Sequence, residues 1–152
     1  MKFSVRTVYG IKAILVLAGR FGEGSLSVSR IAGGQGISTA YLEQILNGLK
    51  KKGLVESARG PRGGYRLAQK PSDIRLDDLF RALEGNNFFT PDSPPPVPSA
   101  ADETAIANFI FWKKFESILR KELSAVTLKQ VVDEARRLKN TKSGPRPQVF
   151  HI

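Results

Sequence analysis

The chain has no cysteine among its 152 residues, which excludes disulfides, thiolate metal sites and cysteine-ligated iron-sulfur clusters. Histidine occurs once, as His151, with no carboxylate or cysteine beside it, so no metal site and no cofactor are assigned. Catalytic patterns are missing as well. There is no P-loop, no cysteine nucleophile and no carboxylate pair at acid-base spacing, and an enzyme is not expected. Long apolar runs are also scarce. The best of them, YGIKAILVLAGRFG, is interrupted by Lys12 and Arg20 and lacks a small-residue cleavage site. Neither a membrane segment nor a secretory leader is predicted, and the expected location is the cytoplasm.

Acidic residues are rare in one half of the chain. Residues 1–70 hold twelve Lys or Arg and only Glu23, Glu43 and Glu56, whereas residues 71–152 hold twelve basic and eleven acidic residues. Nine of the ten net positive charges thus sit in the first half. Such asymmetry points to a polyanionic partner, nucleic acid before an anionic membrane surface.

Apolar residues recur with a helical period over residues 5–21, with Val8, Ile11, Ile14, Leu15, Leu17 and Ala18 facing inward. Ser27 is a cap for a short second helix carrying Val28, Ile31 and Ala32, cut off by Gly33, Gly34 and Gly36. Ser38 can cap a third helix. There Tyr41, Leu42, Ile45, Leu46 and Leu49 form one face, and Thr39, Glu43, Gln44, Asn47 and Lys50 the other, until Gly53. The segments LVESA and YRLA flank RGPRGG, which reads as a β-hairpin with a long turn. LDDLFRALEG closes the set as a fourth helix.

This order predicts a mainly α fold with a small β-hairpin wing: a winged helix-turn-helix over residues 1–85, followed by a long C-terminal dimerisation helix. Residues 86–101, with five of the nine prolines, are expected to be a linker. Residues 102–139 are expected to be dimerisation helices, two in number, the second opened by Thr127 and Gln130 at capping-box spacing. Residues 140–152 form a Pro-, Gly- and Lys/Arg-rich tail expected to be flexible.

The third helix has the composition of a recognition helix. Glu43 can accept a hydrogen bond from cytosine N4, and Gln44 can pair with adenine N6 and N7. On periodicity alone the same pattern describes any amphipathic helix with a solvated face. The neighbouring elements tip the reading: Lys50, Lys51 and Lys52 follow, and then a hairpin whose Arg59 or Arg62 could enter a minor groove.

At these residues the chain resembles a known family. YLEQIL, LKKKGLVES, RGPRGGYRLA and LEG are similar to the Rrf2-type winged-helix transcription regulators, the cysteine-metabolism repressors of the CymR kind more than the iron-sulfur regulators of the IscR kind. The similarity is strong over residues 1–85 and extends in outline beyond. It implies a homodimer that binds double-stranded DNA at an imperfect palindrome, as a repressor of genes such as those of cysteine or sulfur metabolism. By motif the resemblance makes Ser38, Tyr41, Glu43, Gln44 and Arg59 the DNA-facing residues, with Tyr41 near the core boundary by its helical phase; the helix face and the basic wing add Thr39, Lys50 and Arg62. Cluster-binding members carry three cysteines after the fourth helix, where this chain has prolines, so an iron-sulfur sensor is excluded.

Two features remain. The apolar helix carrying Ile106, Phe109, Trp112, Phe115 and Leu119 is too broadly hydrophobic for one seam, and we expect it to be the dimer interface, an intrachain core being the alternative. The end of the tail, Val149, Phe150 and Ile152, offers an apolar side chain beside a terminal carboxylate. That is the form of a peptide ligand, and the resemblance to CymR-like repressors implies cysteine synthase as its partner; simple tail disorder is the other reading. A protein-interaction module docking on an enzyme, and a basic face selecting double-stranded RNA, therefore stand beside the DNA reading.

Overall fold

A computed structural model describes residues 3–86, 88–89, 96–98 and 102–141. The elements run α1 (Val5–Gly19), α2 (Val28–Ala32), α3 (Thr39–Lys51), β1 (Val55–Ala58), β2 (Gly64–Leu67), α4 (Leu76–Glu84), α5 (Glu103–Ala125) and α6 (Leu128–Asn140). The helix starts follow their local codes. The hydroxyls of Ser4, Ser27, Ser38 and Thr127 each accept the amide three residues on, and Gln130 returns the bond to the Thr127 amide at 2.7 Å. At the far end of α3 the amides of Gly53 and Leu54 donate to the carbonyls of Lys50 and Leu49, the paired bonds of a Schellman stop.

One apolar core collects Ile14 and Leu17 of α1, Ile31 of α2, Leu42, Ile45, Leu46 and Leu49 of α3, Leu67 of β2 and Leu79 of α4. Val8 departs from the helical-period reading: it is 45% exposed, while Thr7 and Gly10 turn inward. The cause is a close crossing. A Cβ at Gly10 would lie 2.4 Å from the Leu83 side chain, so the inner stripe of α1 runs through Gly10 and Thr7 instead. Thr7 donates to the Glu84 carboxylate, which also accepts the Ser4 amide at 3.1 Å and the Ser4 hydroxyl at 3.0 Å. The end of α4 thereby caps the start of α1.

β1 and β2 pair antiparallel, Val55 with Leu67 through Ala58 with Gly64. A third strand-like segment completes this sheet: Leu26 and Tyr65 exchange both backbone bonds, at 2.9 and 2.8 Å. The architecture is a winged helix-turn-helix, as expected.

Beyond α4 the chain stays attached. Phe89 is buried, and Phe80, Phe88 and Phe89 follow one another ring to ring after Phe3, so the segment leading into the Pro-rich stretch is pinned at its start. Asp77, buried in α4, pairs with Arg81 and with Arg120 of α5, the latter at 3.3 Å. Arg120 also reaches Glu116 at 2.9 Å and the Asn86 carbonyl. α6 folds back on α1, placing Leu128 and Val132 in the N-terminal core and donating from Arg136 to the Gly19 carbonyl at 2.8 Å. A bridge between Arg75 and Thr127 makes that return, with the Leu128 amide on the Ile74 carbonyl at 2.8 Å.

Candidate nucleic-acid interface

The first turn of α3 is solvent-facing. Ser38 is spent on capping, its oxygen accepting the Tyr41 amide at 3.2 Å. Thr39, Glu43 and Gln44 are exposed, as the 3.6-residue period requires once Leu42, Ile45, Leu46 and Leu49 are inside. Tyr41 was grouped with the apolar face, and the structure corrects this: at 37% exposed it belongs to the outer surface. Its phase sits at the edge of the inner stripe, and the core is already filled by the four aliphatic residues behind it.

Two side-chain bonds fasten the wing to this helix. Lys50 donates to the Ser57 hydroxyl of β1 at 2.6 Å, and the Tyr65 hydroxyl of β2 donates to Asn47 Oδ1 at 3.0 Å. Asn47 is thereby committed within the chain. Burial pushes the Tyr65 phenol above its ordinary pKa, and the charge of nearby Glu43 adds to the effect. Gly64 takes the backbone where no side chain fits: its φ is 146°, and a Cβ would stand 2.0 Å from the Leu26 carbonyl oxygen. The residues in between make a tight turn closed by Gly63 N–H on the Gly60 carbonyl at 2.8 Å. Arg59 and Arg62 lie on this turn, both exposed, while Arg66 is paired across the strands with Glu56 at 2.5 Å. The result is an outward helix face with one acceptor-rich turn, held rigidly beside a cationic loop. The sequence signalled the two surfaces; the fasteners at Leu26, Asn47 and Ser57 have no local signature, although the alternation in GYRL places Tyr65 inward.

The sequence profile of a known family, described as "Rrf2: Iron-dependent Transcriptional regulator", matches residues 3–134. The chain belongs to the Rrf2 family. It is 34% identical over 131 residues to the HTH-type transcriptional regulator CymR of Bacillus subtilis, spanning 86% of this chain and 89% of CymR. The solved structure titled "The Structure of CymR (YrzC) the Global Cysteine Regulator of B. subtilis" superposes with a TM-score of 0.69 at 31% identity, covering 88% of this chain and 98% of that one. The structure of T. potens IscR superposes with a TM-score of 0.73 at 34% identity, covering 94% of each. This Rrf2 chain is accordingly a transcriptional regulator and not an enzyme.

The iron in the family's description does not fit these residues. A cysteine-ligated cluster has no ligand in a chain without cysteine, and among the described residues no group of three or more His, Cys, Asp or Glu could hold a metal ion.

The expected dimer residues lie on α5. Ile106, Phe109, Trp112, Phe115 and Leu119 are half-buried, and no residue of this 23-residue helix is fully buried within the chain. The most exposed large apolar residues of α5 are Phe111 (60%) and Ile118 (62%), beside Phe115 on a continuous stripe that continues through Trp112 and Leu119. Among the described residues no helix is long and apolar enough to cross a membrane. Val149, Phe150 and Ile152, offered as a docking peptide for cysteine synthase, lie outside the described residues.

Proposed function

We propose that this Rrf2 regulator is a sequence-specific DNA-binding repressor that acts as a homodimer on an imperfect palindrome. The observation carrying this reading is the union of two surfaces. Thr39, Tyr41, Glu43 and Gln44 point outward from α3, while Tyr65–Asn47 and Lys50–Ser57 bonds hold Arg59 and Arg62 alongside. In this arrangement α3 enters the major groove, with Glu43 and Gln44 meeting base edges, and the wing arginines reach the adjacent minor groove. Lys51, Lys52 and the positive first half supply phosphate contacts, so affinity falls steeply with salt.

Dimerisation is supported by α5, whose aromatic and aliphatic stripe finds no full cover in its own chain. A second copy covers that stripe and presents a second α3, which gives the target its two-fold symmetry. Occupation of promoter DNA by such a dimer blocks transcription. Likeness to a protein named a global cysteine regulator supports genes of cysteine or sulfur metabolism as targets.

Selection of bound duplexes from a random pool tests the whole reading. The expected product is a palindrome with one fixed half-site spacing, and an asymmetric or unspaced consensus refutes the dimeric mode. Against the selected operator, R59A is expected to weaken binding by at least ~1 kcal/mol, the scale of a lost base contact. Unchanged affinity in an anisotropy titration removes the wing from the interface.

A further inference from the structure

Behind the wing, the end of α1, the Leu26 bridge and the feet of β1 and β2 enclose a cleft of about 440 Å³. That volume lies within the roughly 300–1,000 Å³ of pockets that enclose small ligands. Its floor is apolar, formed by the buried side chains of Leu17, Leu26 and Leu67, with exposed Phe21 on one side. Its rim is cationic: Arg20, Arg66 and Lys70 face a single lining carboxylate, Glu56.

The cations are available. Arg20 rests on Glu23 at 3.1 Å and Arg66 on Glu56 at 2.5 Å, in pairs whose members are all close to half exposed or more. Exposed pairs of this kind are held weakly against solvent and salt, so an arriving anion can exchange for the resident carboxylate. Lys70 makes no ion pair among the described residues. A net positive rim above a greasy floor selects a ligand with both characters.

We infer that this cleft binds a small organic anion, a carboxylate on an apolar body, and that its occupation resets the wing. The route is short. Arg66 lies between Tyr65, which carries both the backbone bridge to Leu26 and the bond to Asn47 of α3, and Leu67, which lines the floor. Drawing Arg66 away from Glu56 removes the cross-strand tie on the solvent face of the hairpin, and the strand that moves is the one that fastens the wing to the recognition helix. The consequence for operator affinity rests on the DNA-binding reading above; the binding itself does not.

The test is an amide-resolved NMR titration of the full chain without DNA, using phenylpropionate, its uncharged amide and inorganic phosphate as probes. Phenylpropionate is expected to shift the Gly24, Leu26, Arg66 and Lys70 amides saturably. The amide probe, and phenylpropionate on the surface variant K70Q, are each expected to bind at least about fivefold more weakly, the loss of one charge-assisted contact. No saturable shift with phenylpropionate, equal affinity for the amide, or an unchanged affinity in K70Q overturns the site. Phosphate binding as tightly as phenylpropionate overturns the apolar half of the assignment and leaves a plain anion contact. Repeating the operator titration at saturating phenylpropionate then reads the coupling: a changed affinity is expected, and an unchanged one overturns the resetting of the wing. A protein that binds the probe and no operator refutes the proposed function while leaving the cleft in place.

Discussion

Replacing Thr7 by valine keeps the shape of a fully buried, β-branched residue in α1 and deletes one hydroxyl. That hydroxyl is the principal donor to Glu84, and the carboxylate keeps the Ser4 amide at 3.1 Å and the Ser4 hydroxyl at 3.0 Å when it is gone. The loss is therefore one hydrogen bond to a charged acceptor, about 1.5–3 kcal/mol, toward the lower end because no charge is orphaned. For a chain of this length about 2 kcal/mol lowers Tm by roughly 4–8 °C. Urea titration at neutral pH measures it directly. The pH dependence gives a second reading. The Thr7 bond holds the Glu84 carboxyl below its ordinary pKa; burial opposes this, while the Ser4 bonds and the Arg6 charge assist. A carboxyl depressed in the folded state contributes stability that is complete above its unfolded value near 4.3 and is lost as pH falls through the lower folded value. T7V forfeits most of that contribution, so the gap between the two proteins narrows on acidification through this window. Equal urea midpoints at neutral pH, or a gap that stays constant into acid, refutes the capping role of Glu84.

Further substitutions probe other joints. G64A puts a Cβ 2.0 Å from the Leu26 carbonyl at a φ of 146°, and is expected to cost about 2–4 kcal/mol by breaking the Leu26–Tyr65 bridge; a wild-type urea midpoint refutes it. I118E is expected to convert a dimer to a monomer in sedimentation while leaving helical circular dichroism intact, and a persisting dimer moves the interface off this stripe. In an ultraviolet pH titration Tyr65 is expected to ionise above the ordinary tyrosine range, since burial and the Glu43 charge both disfavour the phenolate. Y65F removes that late phase, and a profile unchanged by Y65F contradicts the buried placement.

Much of the architecture could be read from residues close together in the chain. Ser38 and the amide of Tyr41 are three apart, the Thr127–Gln130 box likewise, and the turn between β1 and β2 is written in its glycines and proline. The outward residues of α3 followed from its period for the same reason. What escaped was set by contacts between distant segments. Val8 is displaced by the fit of Gly10 to Leu83, and Thr7 is taken inward by the Glu84 carboxylate, 77 positions away. The wing's attachment depends on Tyr65 and Asn47, 18 apart, and on Leu26, which no strand pattern marks. α6 shows the amphipathic pattern of any packed helix, and nothing in that pattern says that α1 is the surface it packs on.

In the proposed dimer, the pairing of Asp77 with Arg120 bears on how far apart the two copies of α3 stand. An apolar seam between α4 and α5 would accept a slide by one helical turn at small cost, because one aliphatic surface fits another in several registers. A buried carboxylate does not: displaced by a turn, Arg120 would leave Asp77 with the more exposed Arg81 alone and would abandon the Asn86 carbonyl. The ion pair thus acts as a detent rather than a glue. Exchanging both residues for hydrophobic ones of similar size is expected to leave the melting temperature near its starting value and still blur the distance that the two halves of the proposed dimer would measure along DNA.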